Sequence, residues 1–115
     1  MPLEKEVKQS ILDYLNSLPK CYARGKHSSP FSKGWPDIQG CLRGRTLAFE
    51  VKQPKSARDP RPKKEATVLH EMEQLKWCRA GAVVGVVTSV DAVKAILSTY
   101  DLLPASGGDA PTGRG

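Results

Sequence analysis

The sequence predicts an α/β domain in which a helix, three strands, a helix and a strand follow one another (αβββαβ). Helices flank a mixed sheet, and one more helix lies at the C-terminal end. Three observations carry this reading. Residues 3–18 repeat apolar side chains at the helical period, and residues 38–52 hold two strand-like arms around Arg43-Gly44. Residues 82–88 form a continuous β-branched run that a helical segment separates from those arms. A length of 115 residues suits one domain, here 1–103. The remainder, PASGGDAPTGRG at 104–115, has no apolar pattern and is expected to be disordered.

The first helix rests on Leu3, Val7, Ile11, Tyr14, Leu15 and Leu18, and Pro19 stops it. At about 100° per residue Glu4 falls inside the apolar arc and Glu6 outside it. A carboxylate on the buried side needs a partner or a metal, although an acid at a helix start also suits the helix dipole. Residues 19–33 have the Pro, Gly, Ser and basic content of a loop, with a short strand near Cys21 to Ala23. His27 within it suits a surface position better than a ligand role.

In the hairpin, Leu47, Phe49 and Val51 alternate with Ala48, Glu50 and Lys52, so an acid and a base share one face. Gly44 can take positive φ in a tight Arg43-Gly44 turn. If Leu42 faces Arg45, counting outward pairs Ile38 with Phe49 and Asp37 with Glu50, with about 5 Å between Cβ atoms of directly opposed residues. Two carboxylates then oppose each other with Lys52 as their cation, and a bound metal would complete the balance. Glu-x-Lys alone is common on solvated sheet faces; Gly34-Trp35-Pro36-Asp37 upstream, with Pro36 at a strand's first position, gives the combination its force.

Thr67 reads as the N-cap of a helix reaching about Ala80, with Gly81 as its stop and His70, Gln74 and Trp77 on one flank. The run Val83 to Val87 reads as a strand buried on both sides. Reached through a helix, it should lie parallel to Leu47–Lys52 by a right-handed crossover. Ser89 can cap a last helix through Val90, Val93 and Leu97.

A net charge of +6 suits a polyanionic partner. Lys52, Lys55, Arg58, Arg61, Lys63 and Lys64 crowd one Pro-punctuated stretch, as a basic loop leaving the Glu-x-Lys strand would, or as a merely soluble loop would. Arg24, Lys26 and Lys33 make a second basic segment able to lie along phosphates. Three cysteines without C-x-x-C spacing indicate neither a disulfide framework nor a zinc site, and a reducing interior is the expected compartment. No apolar run reaches the roughly 20 residues of a membrane span, and no signal-peptide core is present. An intracellular, cytoplasmic protein is expected.

Glu4-x-x-Val7, Gly34-Trp35-Pro36-Asp37, Phe49-Glu50-Val51-Lys52 and the Trp77-to-Gly81 helix end leading into Val83–Val87 together resemble the PD-(D/E)XK nuclease superfamily, whose fold is restriction-endonuclease-like. More narrowly they resemble its VRR-NUC (virus-type replication-repair nuclease) domain, over about Leu3 to Leu97. One position departs: where such domains carry a glutamine three residues after a threonine, Thr67 is followed by His70, with Gln74 one turn later. His70 or Gln74 is therefore a candidate for contacting substrate or water.

The resemblance implies that Asp37, Glu50 and the carbonyl of Val51 hold Mg²⁺ or Mn²⁺, with Glu4 in the shell. Lys52 completes the catalytic set Asp37, Glu50, Lys52 and Glu4. It implies a metal-dependent endodeoxyribonuclease leaving 5′-phosphate and 3′-hydroxyl ends, structure-selective for branched DNA such as Holliday junctions. A homodimer is expected, because a four-way junction is two-fold symmetric and each chain offers one site. Val90, Val93 and Leu97 of the last helix, or Trp35, are candidate dimer contacts, although each could be core. Two alternatives stand beside this: a non-catalytic basic DNA-binding module, and a nickase or flap nuclease without junction preference.

Overall fold

The computed structural model describes residues 3–26, 34–53 and 65–103. The order is α1 (Glu4–Asn16), β1 (Cys21–Gly25), β2 (Ile38–Leu42), β3 (Arg45–Val51), α2 (Glu65–Arg79), β4 (Val83–Val87) and α3 (Val90–Thr99). One sheet runs β1-β2-β3-β4. The first two pairings are antiparallel and β3–β4 is parallel, so the sheet is mixed as predicted. The 104–115 tail and most of the basic loop lie outside the described residues.

The hairpin turn sets the register. Arg43 and Gly44 both take positive φ, 53° and 84°, the pair of left-handed conformations that a two-residue turn needs to match strand twist. Leu42 faces Arg45 and Ile38 faces Phe49, as counted from the sequence.

One sheet face carries the core. Val7, Ile11 and Leu15 of α1 and Val93 and Leu97 of α3 pack on Ala23, Ile38, Leu42, Leu47, Phe49, Val51, Val83 and Val87. Phe49 lies beside Gly85 in the parallel register. A Cβ at Gly85 would come within 2.6 Å of the Ile96 side chain, so the glycine is what lets α3 seat against the sheet there. The edge strand β1 is closed by α1: Asn16 donates to the Ala23 carbonyl (3.0 Å) and accepts from its N–H (2.9 Å), replacing a missing neighbour strand.

Several expectations change. The strand β4 is at the sheet edge, and Val86 is 52 % exposed, so the apolar run 82–88 is not buried on both sides. Burial of a strand depends on its place in the sheet, which composition does not encode. The helix α2 begins at Glu65, so Thr67 lies in its first turn and not at its N-cap. Glu4 is exposed despite lying in the apolar arc with Val7 and Ile11, because α1 starts there and none of the described residues buries its first turn. The other helix signals hold. Ser89 accepts from Ala92 N–H at 3.1 Å, and Ala82 N–H reaches back to the Trp77 carbonyl at 3.0 Å as the chain turns at Gly81. No helix among the described residues is long and apolar enough to cross a membrane.

Candidate active site

The face opposite the core is shared by α2 and a set of cross-strand rows. Lys26 N–H donates to the Asp37 carbonyl (2.9 Å), which extends the β1–β2 ladder by one step. Asp37 in turn precedes the Ile38–Phe49 pair, so Lys26, Asp37 and Glu50 form one row across three strands.

Asp37 is held by its surroundings on both sides. Gly34 takes φ +84°, and a Cβ there would touch the Leu69 side chain of α2 at 3.5 Å, so this turn runs close under the helix. Pro36 is fully buried, and a residue with no N–H can be buried there without orphaning a donor. Beyond them Asp37 Oδ2 accepts the backbone N–H of Val51 at 2.9 Å, tying the carboxylate to the end of β3.

Glu50 is 4 % exposed and is the sole buried charged residue among those described. Its Oε2 lies 3.5 Å from Lys52 Nζ and 2.9 Å from His70 Nδ1. The His70 approach lacks hydrogen-bond alignment, and Nδ1 is buried with no hydrogen-bond partner among the described residues. Burial pushes the Glu50 carboxyl up to about 7. The Asp37 charge adds to the rise, and Lys52 and then Lys26 oppose it incompletely. His70 moves the other way: burial, then the Lys52 charge, lower its pKa, so it is neutral at pH 7.

Lys26 is the residue whose place here sequence reasoning missed. Assigned to phosphate contact, it brings Nζ to 4.0 Å from Asp37 Oδ1 and donates to the Trp35 carbonyl at 3.4 Å. The carboxylate pair therefore faces two lysines, not one. Only the alternation of β1 and its pairing with β2 could have given this, and the β1–β2 register has no short turn to fix it. Removing Lys26 should raise the Glu50 pKa further. A Lys26→Ala protein is accordingly expected to show its carboxyl titration, followed by carbon-13 NMR of Glu50, at higher pH than wild type; an unchanged titration would place Lys26 outside the site.

Glu4 stands at the α1 start, within electrostatic reach of His70. Gln74 is committed elsewhere: its amide donates to the Gly85 carbonyl of β4 at 2.9 Å, and it is His70 that reaches Glu50. Arg24 is exposed on β1 beside this face. Lys33, Lys55, Arg58, Lys63, Lys64 and His27 lie outside the described residues. Among the described residues, no three His, Cys, Asp or Glu side chains gather as a ready ligand set.

A mixed αβββαβ core with an aspartate entering one strand and Glu-x-Lys on its neighbour defines the restriction-endonuclease-like class of α/β domains. Among solved structures the chain is similar to a "VRR_NUC domain" with 28 % sequence identity and a TM-score of 0.58, covering 84 % of this chain and 96 % of that one. The chain thus has the architecture of a VRR-NUC domain, as the motifs at Gly34–Asp37 and Phe49–Lys52 led us to expect. No family model and no curated protein matches it.

Proposed function

We propose that the protein is a divalent-metal-dependent endodeoxyribonuclease acting through Asp37, Glu50 and Lys52, with Glu4 in support. The observation that carries this is the buried Glu50 beside Asp37, two adjacent carboxylates in a site where burial disfavours the ionised form even with Lys26 and Lys52 at hand. Similarity to a VRR_NUC domain supports a nuclease.

The residues fit a hard cation. Two carboxylates and the Val51 carbonyl offer oxygen ligands, and Mg²⁺ is commonly held by one or two carboxylates while keeping several waters, so the absence of a third side-chain ligand is no obstacle. Mn²⁺ accepts the same donors. When bound, such an ion lowers the pKa of water and offsets charge on the phosphate.

The chain's own groups do the positioning. The Val51 N–H fixes which Asp37 oxygen faces the site, since Oδ2 is already engaged. Lys52 places an ammonium at the edge of the pair, where it can orient the attacking water or stabilise charge building on the non-bridging phosphate oxygens. His70, whose buried Nδ1 faces Glu50 at 2.9 Å, can meet water or substrate on the α2 side only through Nε2. Water oxygen bonds to phosphorus, the bond to the 3′ oxygen breaks, and that oxygen takes a proton, leaving 5′-phosphate and 3′-hydroxyl ends.

Branched DNA such as a Holliday junction is the proposed substrate and a homodimer the proposed working unit. The last helix cannot supply the interface through Val93 and Leu97, which are wholly buried in the core. Exposed apolar surface lies instead on α2, where Val68, Met72 and Leu75 recur at helical spacing, on the adjoining edge strand at Val86, and at Trp35. Light scattering at micromolar concentration is expected to give twice the chain mass, reduced by Met72→Glu. A monomer at all concentrations, nicking junctions in one strand, favours the nickase reading instead.

The basic loop is assigned to affinity. Each lysine on a phosphate contributes about −0.9 to the slope of log affinity against log salt. Replacing Lys63 and Lys64 together by Ala is expected to flatten the slope by about 1.8 if both make contact, whereas an unchanged slope leaves the loop a solubility feature. The decisive assay for activity uses labelled duplex, flap and four-way junction DNA with and without Mg²⁺ or Mn²⁺. Metal-dependent cuts in the junction support the proposal. Metal-dependent cleavage indifferent to branching leaves a general nuclease, and binding without cleavage leaves a basic DNA-binding module.

A further inference from the structure

Two further rows continue the Lys26–Asp37–Glu50 row along the same sheet face. The pairing registers align Arg24, Gln39 and Ala48 in one and Tyr22, Cys41 and Thr46 in the next. Successive rows lie about 7 Å apart, two residues along each strand. Beyond the acidic row the helix α2 leaves this face open on the β1 side. Tyr22, Arg24, Gln39, Cys41, Thr46 and Trp77 line a concavity of about 260 Å³ there.

Its chemistry is uneven in an informative way. Tyr22 is 66 % exposed, an aromatic ring on an open sheet face with no core to join. Trp77 forms the facing wall from α2, its indole N–H already given to Glu73 at 3.1 Å, so its apolar ring is what it offers the hollow. Between this aromatic row and the carboxylates stands Arg24, and Lys26 lies in the carboxylate row itself, so each step toward the site carries a cation. A surface meant only for duplex phosphates needs cations and gains nothing from exposed rings. Rings beside a basic track are what unpaired bases require, since stacking needs a free base face that a paired and stacked base does not present. The volume is near the lower bound of about 300 Å³ for small-molecule pockets, room for a base but not for a helix.

We infer that the Tyr22–Trp77 hollow is a subsite for an unpaired nucleotide flanking the bond to be cut, its base against Tyr22 and its phosphate on Arg24. This rests on the nuclease reading for its neighbour and adds a cause of structure selectivity: the DNA must offer a single-stranded or openable segment about two strand rows from the scissile phosphate.

The test is binding in chelator, so that no cleavage intervenes, of a short fluorescent single-stranded DNA and of the same sequence as a blunt duplex. Tyr22 is exposed, so Tyr22→Ala leaves the core intact. It is expected to weaken single-strand binding about tenfold, with Tyr22→Phe restoring it and duplex affinity little changed. Single-stranded DNA should also quench the emission of a Trp35→Phe protein, whose remaining tryptophan is Trp77, more than duplex does. Single-strand affinity indifferent to Tyr22→Ala, or an equal loss for duplex, overturns the subsite. Cleavage is scored separately. A protein that cuts DNA but ignores Tyr22 loses the subsite and keeps the nuclease; one that binds single strands through Tyr22 but cuts nothing keeps the subsite and loses the nuclease.

Discussion

Glu50→Gln is expected to lose strand cleavage by at least about 10²–10³-fold, the usual scale for removing one preorganised electrostatic group, while becoming more stable than wild type. The two effects share one cause. Wild-type Glu50 is buried beside Asp37, with its carboxyl pushed up to about 7 from an ordinary 4.5, first by burial. A carboxyl whose folded pKa is raised binds its proton more tightly in the folded state. The associated cost is therefore absent below about pH 4.5, grows as pH rises to about 7, and stays constant above. That difference corresponds to something on the order of 3 kcal/mol at pH 8 in chelator, reduced by whatever divalent ion is present. Gln removes the charge at nearly constant shape. Thermal melts of the two proteins in chelator should thus diverge between pH 5 and pH 8, with the variant higher at pH 8. Parallel melts across that range would mean that Glu50 is not strained by its neighbours.

Phe49→Ala is expected to be the most damaging single change to the fold, costing about 3–5 kcal/mol. Its ring is wholly buried, opposite Ile38 across β2 and beside Gly85 across β4, where Ile96 closes over it. Truncation leaves a hollow that the sheet cannot close, because strands on both sides hold their spacing. It also loosens the strand at Glu50, the next residue along β3. Val86→Ala on the exposed edge should stay within about 0.5 kcal/mol. Urea midpoints measure both, and similar midpoints for the two variants would contradict the assignment of faces.

The hairpin was the most legible part of the chain. A two-residue turn at Arg43-Gly44 leaves almost no freedom of register, so counting outward from it places Asp37 beside Glu50 from the sequence alone. Helix ends at Ser89 and Gly81 were legible for a similar reason: their capping chemistry is local. What stayed hidden depends on partners distant in sequence. Lys26 enters the site only through the β1–β2 register, and Asn16 clamps Ala23 through a tertiary approach that no periodicity reports. Val86 reads as core because β-branched runs carry no label saying whether a neighbour strand and helix will cover them. Glu4 shows the same limit from the other side, since an apolar arc marks a direction and not how far cover extends along it.

The central claim is that Asp37 and Glu50 jointly hold a divalent ion, and direct Mn²⁺ binding followed by electron paramagnetic resonance tests it without recourse to cleavage. At pH 8 the wild-type protein is expected to take up Mn²⁺, displaceable by Mg²⁺, with uptake lost in Glu50→Gln and in Asp37→Asn although both stay folded. Unchanged Mn²⁺ uptake in both variants would contradict the claim.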